Sequence, residues 1–103
     1  MTLALGVDVD HDGQSAIVSL RGEIDYGNVS QLRSVFVELA ETDATDVTVD
    51  LAGVDFLDST VLSVLIQGKQ RLEESGRQMS VINPQPRIQR VLELAGVLEY
   101  LRF

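Results

Sequence analysis

Apolar and polar residues alternate at the start of the chain and then change period. Through Leu3-Ala4-Leu5-Gly6-Val7-Asp8-Val9-Asp10 the alternation sharpens toward a period of two, and after Asp12-Gly13 the run Ser15-Ala16-Ile17-Val18-Ser19-Leu20 is again β-rich. Two strands joined by a hairpin turn are predicted, since the Asp-Gly pair suits the positive φ of a tight turn. From Val29 the period lengthens: Val29, Leu32, Val35, Phe36 and Leu39 form one stripe at helical spacing, and Tyr26-Gly27-Asn28 offers an N-cap before it. The β-branched run Asp46-Val47-Thr48-Val49-Asp50-Leu51 has strand length. Helical periodicity resumes from Ser59 to about Glu74, where Ser75-Gly76 stops it. Gln78 to Ile82 reads as another strand. After Asn83-Pro84-Gln85-Pro86, residues Ile88, Val91, Leu92 and Ala95 make a short helix ending near Gly96, and the tail Val97 to Phe103 forms a last short helix or strand.

Strands alternating with helices require parallel crossovers, and the opening hairpin adds an antiparallel pair. The expected fold is therefore α/β, with a mixed β-sheet of four to five strands packed by helices. The chain of 103 residues, 45% of them apolar, has material for one closed core, so residues 1–103 are read as one domain. No basic, apolar leader is present at Met1-Thr2-Leu3-Ala4-Leu5-Gly6, and the Val61–Ile66 stretch is too short to span a bilayer. The expectation is a cytoplasmic protein without a membrane association.

The net charge of −8 disfavours nucleic acid and anionic membrane surfaces, both of which are bound by an excess of Lys and Arg. A partner with a basic patch is the natural complement. The absence of cysteine removes disulfides, thiolate nucleophiles and sulfur-ligated zinc, and one histidine, His11, cannot by itself build a triad or a metal cage.

Asp8-Val9-Asp10-His11-Asp12-Gly13 matches the first half of a calcium-binding loop, but position twelve of that loop would be Ser19 where a bidentate glutamate is needed. The segment is read as a solvated hairpin turn, and no metal is expected. The acidic pairs Glu73-Glu74 and Glu38/Glu41 fall on polar helix faces. The glycines are scattered singly, so there is no phosphate-binding loop and no cofactor is expected. Gly68, in mid-helix, is assigned to a close approach of helix to sheet. What remains is Asp58-Ser59-Thr60, where the strand and its loop from Val49 to Leu57 hand over to the second long helix. Asp, Ser and Thr are the residues any helix selects for its N-cap, which is explanation enough for their presence.

The order of motifs resembles one family. Leu20-Arg21-Gly22-Glu23-Ile24-Asp25 is similar to its Gly-Glu-Ile/Leu-Asp signature. Val49 through Thr60 (Val-Asp-Leu-Ala-Gly-Val-Asp-Phe-Leu-Asp-Ser-Thr) resembles its most diagnostic stretch, and Val91-Leu92-Glu93-Leu94-Ala95-Gly96 its closing helix. These are the marks of the STAS domain, the sulfate transporter and anti-sigma factor antagonist module, and they span nearly the whole chain.

The resemblance implies partner switching. The unmodified antagonist binds an anti-sigma factor that is also a serine kinase, which frees a sigma factor for transcription. Phosphorylation breaks the complex, and a PP2C-type phosphatase restores it. The serine after the aspartate is the family's phosphoacceptor, and Ser59 holds that position. The resemblance also places Asp25, Asp58, Ser59 and Thr60 at the partner-binding surface, and implies no enzymatic activity. This chain departs from the family in carrying Val61 where glycine usually follows the hydroxyl pair. A β-branched residue there stiffens the first helical turn and takes up space that a partner would use. The alternative function is a constitutive STAS scaffold subunit of a lipid transporter or signalling assembly, with Ser59 serving only as a helix cap.

Overall fold

Alternation along the strands becomes a two-faced sheet in the computed structural model, which describes residues 5–102. Strands β1 (Gly6–Asp12), β2 (Ser15–Ile24), β3 (Asp46–Leu57) and β4 (Gln78–Ile82) lie side by side in the order β1-β2-β3-β4. The β1–β2 pair is antiparallel and turns at Gly13, whose φ is +62°; β2–β3 and β3–β4 are parallel. Leu3, Ala4 and Phe103, which the sequence reading assigned to the first strand and the tail, lie outside the described residues.

Helices α1 (Val29–Ala40) and α2 (Ser59–Glu74) make the two crossovers, and α3 (Pro86–Leu94) and α4 (Leu98–Arg102) follow β4. The tail is thus a helix. Cross-strand neighbours Ala16, Val47 and Met79, and Val18, Val49 and Val81, point into a single core shared with Leu32 and Phe36 of α1, Leu65 and Leu72 of α2, Ile88 and Leu92 of α3 and Leu101 of α4. Ile17, Ser19, Thr48, Asp50 and Ser80, on the opposite face, are exposed or half-buried. A parallel sheet normally reads as continuously apolar because helices cover both faces. Here the alternation is kept because the apolar covering is confined to one.

Two strands run further than their periodicity predicted. β2 continues past Leu20 to Ile24, and β3 continues past Leu51 to Leu57. The register shifts where Ser19 and Arg21 oppose Asp50 and Gly53, and again where Gly22 and Glu23 oppose Val54 and Phe56. Each shift inserts an extra residue into β3, so its buried positions move from Val47, Val49 and Leu51 to Val54 and Leu57. Such bulges break the period of two that identifies a strand, which is why this stretch reads as a loop in sequence. The polar groups they displace find partners: the Ala52 amide donates to Asp50 Oδ1 (2.9 Å), and Gln85 Nε2 donates to the Ala52 carbonyl (2.9 Å).

Gly68 serves a different contact from the one expected. A Cβ there would come within 2.8 Å of the Phe36 ring, so the glycine lets α2 approach α1, a helix and not the sheet.

Candidate functional site

The carboxyl ends of β2 and β3 and the amino ends of α1 and α2 meet at one end of the molecule, the usual place for sites in parallel α/β sheets. Ile24 pairs with Leu57 as the last rung of the β2–β3 ladder, so Asp25 and Asp58 leave the sheet together. Their carboxylates then take distinct roles. Asp25 Oδ1 accepts the Gly27 amide at 2.8 Å, and the Asp25 carbonyl accepts the amides of Asn28 and Val29, which closes the turn into α1.

Asp58 joins the two helices. Its backbone is extended (φ −107°, ψ 179°), its Oδ1 accepts the Val61 amide at 3.1 Å as the N-cap of α2, and its Oδ2 accepts the Tyr26 amide at 3.1 Å. One carboxylate therefore holds the β2–α1 turn against the start of α2. Ser59 is already the first helical residue. It is exposed, and its hydroxyl makes no hydrogen bond among the described residues. The alternative in which Ser59 serves as the cap is corrected here: the aspartate has the extended backbone that lets a side chain fold back onto the helix amides, and the serine does not. Thr60 is half-buried.

Two further expectations change. Asn28 occupies the N-cap position of α1 but does not cap it; its Oδ1 accepts the Asp25 amide (2.9 Å) and its Nδ2 donates to the Glu23 carbonyl (2.9 Å). Buried at 6% exposure, it braces the end of β2. Val61 is fully buried in the core, so the departure from glycine adds no bulk at the surface beside Ser59. The first turn of α2 instead presents Ser59 outward and Val61 inward.

Sequence reasoning passed over two aromatic side chains flanking this end. Tyr26, whose amide is bound by Asp58, is 79% exposed, and Phe56, two residues before Asp58, is 48% exposed. A large aromatic directly after the Glu-Ile-Asp signature, and another immediately before Leu57-Asp58, were the available signals. Exposed aromatics beside a polar site are typical binding anchors.

The remaining motifs fall elsewhere. Asp8, Asp10 and Asp12 lie along β1 and its turn, in an extended row that does not wrap around an ion, and Asp8 pairs with Arg21. Among the described residues, no group of three or more acidic or histidine side chains is placed to hold a metal. Among the same residues, no helix is long and apolar enough to cross a membrane.

Comparison with known proteins agrees with this architecture. The chain is 27% identical over 84 residues to an anti-sigma-B factor antagonist of Staphylococcus epidermidis, covering 82% of this chain and 78% of that one. An anti-sigma factor antagonist from Mycobacterium paratuberculosis superposes with a TM-score of 0.85 at 22% identity, covering 95% of this chain and 83% of that one. The Bacillus cell fate determinant SpoIIAA in its phosphorylated form superposes with a TM-score of 0.73 at 21% identity, over 97% and 89% of the two chains. The STAS domain model matches residues 7–103, and with this match and the four-stranded mixed sheet the chain belongs to the STAS domain family.

Proposed function

We propose that this protein is an anti-sigma factor antagonist that binds an anti-sigma factor with serine kinase activity, and that phosphorylation of Ser59 releases it. A PP2C-type phosphatase resets the cycle. The observation that carries the reading is the division of labour at α2: Asp58 does the capping, which leaves the Ser59 hydroxyl exposed and unbonded at a helix N-terminus. The name of the staphylococcal relative, anti-sigma-B factor antagonist, supports the role.

The electrostatics suit a switch. The amino end of α2 favours a phosphate by about 0.3–1 kcal/mol. Against this, phosphoserine adds about −1.5 to −2 charges next to Asp58, within a surface that must meet a partner. Unit like charges about 4 Å apart cost up to about 4 kcal/mol at an effective dielectric near 20, before screening. Packing that doubly charged group against a partner, beside Asp58 and out of water, thus costs more than the helix end returns. The modified chain stays folded while affinity for the partner falls roughly a hundred- to a thousandfold.

Incubation with the kinase encoded in the same genome and ATP, followed by mass spectrometry, should place one phosphate on Ser59 and none on Ser59→Ala. Calorimetry should find Ser59→Ala binding the unmodified partner as tightly as wild type and Ser59→Asp much more weakly. A phosphate on Thr60 or elsewhere, or equal affinities for the two variants, would overturn the proposal.

A further inference from the structure

The chain has 8 basic residues against 16 acidic ones, and several of the basic groups are committed to internal structure. Arg21 lies on Asp8, Lys69 donates to the Met79 carbonyl and Arg77 donates to carbonyls at the end of α1. Arg33 and Arg71 are uncommitted, as are Arg87 and Arg90 on α3, but only the first two share a cleft. Both are exposed, neither makes a hydrogen bond or ion pair among the described residues, and both line the same cleft between α1 and α2.

The cleft exists because Gly68 lets Phe36 sink between the helices. Its apolar part is Phe36, Val37 and Val64, with Val37 51% exposed; Gln67 and the two arginines complete it. Along α2 the lining residues Val64, Gln67, Gly68 and Arg71 follow i, i+3, i+4, i+7, one continuous stripe. The cleft is open to solvent and its volume, about 150 Å³, is small. Pockets for nucleotides or other small ligands run from about 300 to 1,000 Å³. This one has room for an apolar side chain of a docked segment, with basic groups placed to meet carboxylates around it.

We infer that the α1/α2 cleft is a second docking contact, which takes an acidic segment of the partner protein carrying one apolar anchor. The inference rests on the reading of the chain as a partner-binding antagonist and extends its surface. Arg71 is twelve residues from Ser59 on the same helix, about 18 Å at 1.5 Å per residue, so one partner of ordinary interface size spans both. In a chain of net charge −8 the two arginines make the cleft a local exception to the field that would repel an acidic segment elsewhere.

The test compares Arg33→Glu/Arg71→Glu with Arg87→Glu/Arg90→Glu, exposed α3 positions that change net charge equally. Each is titrated into the anti-sigma factor encoded in the same genome, beside wild type and Ser59→Asp, with thermal melts to establish folding. Arg33→Glu/Arg71→Glu should weaken binding about tenfold or more at low salt, mostly through slower association, while the α3 pair stays within about twofold of wild type. Amide shifts at Val37 and Gln67 on adding the partner should vanish in the α1/α2 variant. If both double variants bind like wild type, or weaken equally, while Ser59→Asp still fails to bind, the cleft is overturned and the antagonist reading stands. If wild type itself does not bind, both fall together.

Discussion

The two ends of α2 are made from similar polar residues and behave in opposite ways. At its amino end, Asp58 spends its carboxylate on the amides of Val61 and Tyr26, and Ser59 beside it spends nothing. At its carboxyl end Lys69 and Glu73 are engaged. Lys69, 2% exposed, donates to the Met79 carbonyl at 2.9 Å and lies 5.0 Å from the centre of the Tyr100 ring, whose hydroxyl donates to Glu73. Just beyond, Arg77 donates to the carbonyls of Leu39, Ala40 and Thr42 and closes the end of α1.

The lysine has a physical reason. Because the Gln78 amide bonds back to the Thr45 carbonyl, alternation along a parallel ladder turns the Met79 carbonyl away from β3, toward the open edge of β4. Lys69 takes that carbonyl and Tyr100 covers the ammonium, which protects an edge that would otherwise invite another strand. A helix fixed this firmly at one end can present a free hydroxyl at the other without needing it for stability.

Breaking the closed end should cost the most stability and leave the open end competent. Lys69→Ala removes a buried stem and exposes an unpaired carbonyl, and should cost about 2–4 kcal/mol. Lys69→Met keeps the stem and should recover more than half of that. In both, phosphorylation of Ser59 should persist below the melting transition; its loss there would mean the ends are coupled. Arg77→Ala, which strips three carbonyls of their donor at a partly solvated site, should cost about 1–2 kcal/mol by denaturant melts.

At the open end, Asp58→Ala should cost about 1–2 kcal/mol, since it loses both the cap and the acceptor for the Tyr26 amide, and Asp58→Asn less than that, because its one amide oxygen keeps the Val61 bond while the Tyr26 bond is lost. An Asp58→Asn variant that melts like Asp58→Ala would show that the second acceptor for Tyr26, and not the cap, stabilises this end.

The smallest effect belongs to Tyr100. Desolvation first, then its hydrogen bond to Glu73 and the charge of that carboxylate, raise its phenol above the usual value. A raised folded value means the stabilisation is complete below about pH 10 and is lost as pH climbs through the folded value. Tyr100→Phe should therefore show less loss of stability than wild type on going from pH 9 to 11. Parallel curves would deny the phenol any such part.

The elements were legible in sequence wherever burial imposed a single period. The stripe from Val29 to Leu39 and the alternation of Ala16, Val18 and Leu20 each need only one buried face to be recognised. The motif segments were legible too, since Gly22-Glu23-Ile24-Asp25 and Asp58-Ser59-Thr60 are contiguous. What depended on distant partners was not. The end of β3 reads as a loop because its bulges answer to β2 and to Gln85. Gly68 belongs to a ring 32 residues away on α1, and Arg77 to carbonyls more than 30 residues before it. At the start of α2, sequence offered three residues fit to cap the helix, Asp58 among them. The structure shows Asp58 in the extended backbone of a cap and Ser59 free, and only the fold adds the Tyr26 amide to the second carboxylate oxygen. Local chemistry decided the cap, because the Val61 amide is three residues away; the joining of the two helices through Asp58 was decided by the Tyr26 amide, which only tertiary folding brings into reach.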